Sequence, residues 1–255
     1  MDKNKKDKLN EEILAIFVLM SAYQKSKYFK NLLAKYKLNR DQLKDKVNRI
    51  YAKYSKDGEL VITQDEINKE MKGIVTEIKS IRNDLESVEK IALLFLLENS
   101  YTKTYRDINK KLGLDKVLVA TEISRVVNRK IKGITPIYRI NSNKMKLSSK
   151  LIIDIKQQLK KGVTIEKINK SIDTTFEQGV RVSQRLIGNE LARVTNEAII
   201  QSYKVNGITK VGYNSALEKN TCQTCESLDG VIFDIDNAPS LPLHTNCMCW
   251  YEIEE

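Results

Sequence analysis

One histidine, four cysteines, three prolines and one tryptophan are all that 255 residues contain of those types, and glycine stops at ten. A lone histidine excludes the H-E-x-x-H metalloprotease pattern, which needs two. The nucleobase-deaminase pattern, H-x-E before P-C-x-x-C, also fails: Asn246 stands where the glutamate belongs, and the C-x2-C precedes the histidine. No G-x-x-x-x-G-K-[ST] loop marks a nucleotide cradle. Few glycines, few prolines and 7% aromatics argue against an all-β chain, while 30% charged residues fit a soluble, helix-rich one.

Long apolar runs are missing too. Ile13–Met20 and Ile91–Leu97 fall far short of the roughly 18 to 20 residues of a membrane span. Lys3, Lys5, Lys6 and Lys8 ahead of the first run imitate a secretory signal. Asn10, Glu11 and Glu12 abut that run, however, and Tyr23-Gln24-Lys25 replaces a small-x-small cleavage site. A soluble chain in a reducing compartment is expected, which counts against disulfides.

Positive charge is abundant and uneven. The formal net charge of +11 divides into +9 for residues 1–56, −5 for 57–100, +13 for 101–170 and −6 for 171–255. Lysine-rich stretches are commonly solvated helix faces. Two such segments in one chain also suit a polyanionic partner, nucleic acid first and an acidic protein surface second. No base-reading helix or RNP-type aromatic motif is present, so DNA contact would be to phosphates and salt-sensitive.

Every cysteine and the histidine fall within 28 residues: Cys222-Gln-Thr-Cys225 and His244-Thr-Asn-Cys247-Met-Cys249. A C-x2-C facing an H-x2-C supplies four zinc ligands in two chelating pairs, filling a structural site and leaving no open position for catalysis. Cys222, Cys225, His244 and Cys247 are the ligand candidates, with Cys249 as the alternative to Cys247. Reduced-thiol packing and two disulfides are the competing readings. The surroundings are acidic, unlike a DNA-reading finger.

Apolar residues from Leu9 to Tyr36, among them Ile13, Phe17, Met20, Phe29 and Leu32, recur at helical spacing. Further helices are expected at about 40–54, 64–80, 83–99, 102–112 and 115–131, with a capping box at Thr63-Gln-Asp-Glu66. Gly133 to Pro136, followed by Asn141-Ser-Asn143, breaks the pattern and marks a boundary between a basic helical domain, 1–140, and a second domain, 141–255. The latter reads as helices near 147–160, 164–175 and 180–203, ended by Asn206-Gly207. A β-containing cap, 207–255, follows, with strands at 208–215, 231–233 and 250–253 and a turn at Leu228-Asp229-Gly230. The fold class is mainly α with a small Cys/His cap.

Leu191-Ala-Arg-Val-Thr-Asn-Glu-Ala198, Val211–Ser215, Thr221–Cys225, Leu228–Gly230, Phe233, Pro239-Ser-Leu-Pro242 and His244–Cys249 come in an order and spacing that resemble the C-terminal domain of phage Mu F-like minor head, or head morphogenesis, proteins. The resemblance covers roughly 147–255. Met248 stands where an arginine is common and Asn196 where an acid is common. The resemblance implies a structural component of a tailed-phage head, located in the virion and, during assembly, in the host cytoplasm; the missing catalytic patterns make an enzyme unexpected. Its implied partners are the portal, the major capsid or scaffolding protein and packaged double-stranded DNA. Arg193 and Thr195 are expected to tie their helix to the cap loops, with Asp229 and Gly230 shaping the turn. A zinc-stapled, non-specific DNA-binding protein is the alternative.

Overall fold

Apolar residues at three- and four-residue steps close most of this chain into long helices. The structure is a computed structural model; it describes residues 4, 6–8, 10–11, 14–15, 22–57, 59–114, 120–215 and 221–254. Leu9, Ile13, Ile16, Phe17 and Met20, expected to begin the first helix, lie outside the described residues. After a 3-10 turn at Ala22–Lys25, helix α1 (Lys27–Tyr54) buries Phe29, Leu32, Tyr36, Leu43, Val47 and Ile50 on one face. It joins the end of the first expected helix to the whole of the second.

A short antiparallel ladder, β1 (Ser55–Lys56) with β2 (Glu59–Leu60), leads to the capping box at Thr63. Glu66 N donates to Thr63 Oγ1 at 3.3 Å and Thr63 N to Glu66 Oε2 at 2.8 Å. Helix α2 (Gln64–Leu112) runs 49 residues where the sequence suggested three helices. The polar stretches near Arg82 and Ser100 contain neither glycine nor proline, so nothing interrupts its hydrogen-bond ladder. Helix α3 (Ala120–Val127) is shorter than the expected 115–131, of which 115–119 lie outside the described residues.

Helix α4 (Pro136–Lys160) begins with Pro136 in its first turn and Thr135 as N-cap, accepting from Tyr138 N at 3.2 Å. Asn141-Ser-Asn143, expected in a loop, is therefore helical; the real break is at Gly133, φ +76°. Helix α5 (Ile165–Val205) absorbs both expected helices and passes through Gly179. A Cβ there would meet Leu147 Cδ1 at 2.4 Å and Tyr36 Cε1 at 3.0 Å, so the glycine serves close packing and does not end the helix. The stop expected at Gly207 is present: φ is +74°, and Ile208 N donates back to Tyr203 O at 3.1 Å.

The chain forms two compact units, each discontinuous in sequence. One comprises 27–92 and 134–184; it contains α1, α4 and the first parts of α2 and α5. Residues 141–255 thus contribute to both units. In this unit Lys144 and Glu89, 1% and 0% exposed in their side chains, form an ion pair. Ser183 Oγ lies 2.9 Å from Lys144 Nζ and 2.6 Å from Glu89 Oε2, and the Tyr36 hydroxyl bonds to both Lys144 and Ser183.

The other unit comprises 1–26, 93–133 and 185–255. Its sheet, in the order β4 (Ile232–Asp234), β3 (Lys210–Asn214), β5 (Trp250–Ile253), is antiparallel throughout. Val211 and Tyr213 of β3 pack with Ile199 and Tyr203 of α5, Ile108 of α2, Tyr251 and the buried cysteines. The cap is thus continuous with a helical core, more deeply buried than its irregular sequence implies. Each large apolar side chain buried there contributes roughly 1.5–3 kcal/mol.

Candidate metal centre

Cys222 is the N-cap of a short helix, α6 (Gln223–Leu228). Its Sγ accepts from Cys225 N at 3.4 Å, and the three-residue spacing brings Cys225 to the same side of the turn. His244 and Cys247 are brought close by a turn in which Cys247 N donates to His244 O at 3.2 Å. Asn246 occupies that turn with φ +62°, and its N–H donates to Asn189 Oδ1 of α5 at 2.8 Å.

These turns converge. His244 Nε2 lies 3.1 Å from both Cys222 Sγ and Cys225 Sγ, and Cys225 Sγ lies 3.8 Å from Cys247 Sγ. Cys222, Cys225 and His244 form one group with all ligand atoms within 4.8 Å of one another; Cys225, Cys247 and Cys249 form a second. His244 Nδ1 lies 2.9 Å from Thr245 O; donation to that carbonyl leaves the Nε2 lone pair facing the sulfurs. Sulfurs about 3.8 Å apart suit a tetrahedral ion with metal–sulfur bonds of about 2.3 Å. The cluster is able to hold a metal ion, and the donor set fits a thiophilic one. All four cysteines are free, so the disulfide reading finds no support in the structure.

Protonation within the cluster is uneven. Hydrogen bonding from the Cys249 thiol brings Cys247 down to about 5, whereas the same bond and burial push Cys249 up. The Cys225 backbone N–H lowers Cys222, while burial raises Cys225. The hydrogen bond to Thr245 O raises His244, reinforced by the neighbouring thiolates against the cost of desolvation. Burial, with Cys225 and Cys249 beside it, drives the Tyr213 phenol far up.

Asp229 Oδ1 accepts from Ser215 N at 2.7 Å, and Gly230, φ +72°, donates to Tyr213 O at 2.8 Å, so the Leu-Asp-Gly turn ties α6 to β3. Arg193 and Thr195 point elsewhere than the sequence suggested. Arg193 Nη1 donates to Val126 O of α3 at 2.9 Å and Nε to Glu190 at 2.8 Å, while Thr195 Oγ1 meets Ser100 Oγ of α2 at 2.9 Å. Helix α5 reaches the cap loops through Asn189 and Asn196, whose Nδ2 donates to Cys249 O at 3.1 Å. Sequence reasoning missed both. Asn196 stood out there as a departure from a pattern, and that departure was its one available signal.

The basic segments are partly matched inside the molecule. Lys35, Lys46 and Lys53 of the first pair with Asp84, Glu77 and Glu70 of the acidic stretch that follows, at 3.4, 3.4 and 2.8 Å. A cleft of about 250 Å³ beside the cap carries the ion pairs Arg129–Glu197 and Lys204–Asp236. Among the described residues no helix is long and apolar enough to cross a membrane.

Residues 150–252 match the model of a family described as Phage Mu protein F like protein. The matched segment carries all five donor residues, Asn189 and Asn196. No match was found among curated proteins or among solved structures.

Proposed function

We propose that this chain is a structural minor head protein of a tailed phage or prophage, acting in procapsid assembly by binding the portal, with a zinc-stapled cap. The observation that carries this reading is the coincidence of the family match over residues 150–252 with a clustered cysteine/histidine site in the same segment. Head-assembly family membership makes capsid components the partners to test and the virion the expected location. Cys222, Cys225, His244 and Cys247 are the proposed ligands, leaving Cys249 as a thiol beside them. Bound zinc would supply cross-linking between α6 and the His244 turn, stabilising the cap.

The site is read as structural, not catalytic. The histidine is committed to the cluster, and a full ligand set leaves no place for an activated water. Non-specific DNA binding draws on the +13 charge of residues 101–170 and is the second reading.

Co-expression with the portal protein of the same phage or prophage tests the proposal. The expected result is co-purification of the two and incorporation of the chain into procapsids. Absence from both overturns the portal reading. Binding to duplex DNA that weakens steeply with salt, without portal association, favours the second.

A further inference from the structure

Helix α4 leaves an apolar stripe in solvent. Tyr138, Met145 and Ile153 are 63%, 52% and 53% exposed. At about 100° per residue the three share a sector of about 80° of the helix, opposite the face that buries Leu147 and Leu151. Ser142 and Ser149 lie between them and line the same groove. Alternation of large and small side chains along a helix makes hollows that accept the ridge of another helix. Three large apolar side chains set about two turns apart along one exposed face, with serines on the turns between, form a row, unlike scattered surface apolar residues.

The stripe ends in positive charge. Lys156 and Lys160 continue the same sector toward the C-terminus of α4, and Lys146 borders it. Lys150 is matched by Asp154 at 3.0 Å, but Lys146, Lys156 and Lys160 make no ion pair among the described residues. The helix as a whole carries six Lys and Arg against Asp154 alone.

We infer that this face of α4 docks an amphipathic helix of a partner protein whose flanks are acidic. A second copy of the same face is a poor occupant. Parallel pairing sets lysine against lysine; antiparallel pairing sets Lys156 and Lys160 near the start of the partner helix, its positive end, where no carboxylate waits. Duplex DNA would satisfy the lysines but leave the Tyr138, Met145 and Ile153 side chains without an apolar partner. An acidic amphipathic helix meets both requirements: apolar knobs into the groove, and carboxylates over the lysines. This surface is a separate claim from the portal reading and stands without it.

A fluorescently labelled peptide of about three heptads, with a Leu stripe flanked by Glu, tests the inference on the full chain by anisotropy. The same peptide with Lys for Glu and a scrambled Glu version are the comparisons. The Glu-flanked peptide binds at least about tenfold tighter than either, and Met145→Glu weakens it by at least about tenfold. The double variant Lys156→Glu/Lys160→Glu reverses the preference between Glu and Lys peptides. Circular dichroism stays at the wild-type value, since all three positions are exposed, and melting does so for Met145→Glu, while glutamates at the C-terminal end of α4 lower it slightly. Equal binding of the three peptides, or indifference to Met145→Glu, overturns the inference. Self-association in sedimentation velocity that Met145→Glu abolishes overturns it in favour of a second copy. Loss of duplex-DNA affinity in Met145→Glu, with no peptide effect, overturns it in favour of DNA.

Discussion

Asn10 holds Ile253 by both polar ends of its amide side chain: Oδ1 accepts from Ile253 N at 3.1 Å, and Nδ2 lies 3.5 Å from Ile253 O. Because β5 is the edge strand of its sheet, Asn10 takes the place of a missing neighbouring strand. Lys6 reinforces the contact through Glu254 at 2.9 Å. Asn10→Ala leaves two backbone groups of Ile253 without this partner, and the expected cost is about 1–3 kcal/mol. A lowered melting temperature and loss of amide-exchange protection at Ile253 are the readouts; wild-type protection there would contradict the role.

Zinc content separates the ligand candidates. Fresh protein is expected to contain one zinc ion. Cys222→Ser, Cys225→Ser, His244→Ala and Cys247→Ser should each lose it, whereas Cys249→Ser keeps it. Hydrogen exchange should then rise across residues 207–255 while α1 and α4 stay protected. Metal-free fresh protein, with all five variants melting like the wild type, removes the staple and leaves thiol packing.

Asn196→Asp tests how α5 carries the cap. The amide nitrogen donates to Cys249 O and to Ala192 O at 3.0 Å; a carboxylate would present oxygen to both carbonyls in a buried site. The expected loss is about 1–3 kcal/mol, read by chemical denaturation and accompanied by faster cap exchange. Asn196→Asp as stable as the wild type would show that the cap does not depend on this donor.

Lys144 and Glu89 predict an alkaline limit to stability. Burial by itself lowers the Lys144 pKa, but attraction to Glu89 and the Tyr36 and Glu89 hydrogen bonds outweigh it, and the net shift is upward from 10.5. A raised folded pKa means that folding favours the protonated amine. The contribution is complete below the unfolded value and lost as pH rises through the folded one. Lys144→Met should cost about 3–5 kcal/mol at neutral pH by stranding Glu89, and Lys144→Met/Glu89→Leu should recover most of it. The double variant should also lose the part of the alkaline slope that belongs to Lys144, as measured by urea unfolding between neutral pH and the alkaline range.

Local signals in the sequence located much of this architecture. Thr63 and Glu66 meet through a reciprocal cap within four residues, Gly207 ends α5 because it adopts positive φ, and Trp250–Ile253 carries the aromatic and β-branched residues that strands favour. The Cys/His cluster was legible for the same reason: two short chelating turns encode their own spacing. Helix continuity was harder to read. Gly179 looks like a break in isolation, and only the approach of Leu147 and Tyr36 shows why a glycine sits in mid-helix. Asn141-Ser-Asn143 likewise reads as a loop until Thr135 and Pro136 start the helix ahead of it.

By itself, the sequence determined the helical class, the small β-containing cap and the Cys/His cluster of the candidate metal centre, because each rests on periodicity or spacing over a few residues. The tertiary structure alone decided which side chains support that centre. Arg193 turns to Val126, while Asn189 and Asn196 take the cap, and Asn10 closes a strand 243 positions away. A buried polar group bonds to whatever donor or acceptor the packed chain brings within reach, and that choice is made across distances in sequence that no local pattern records.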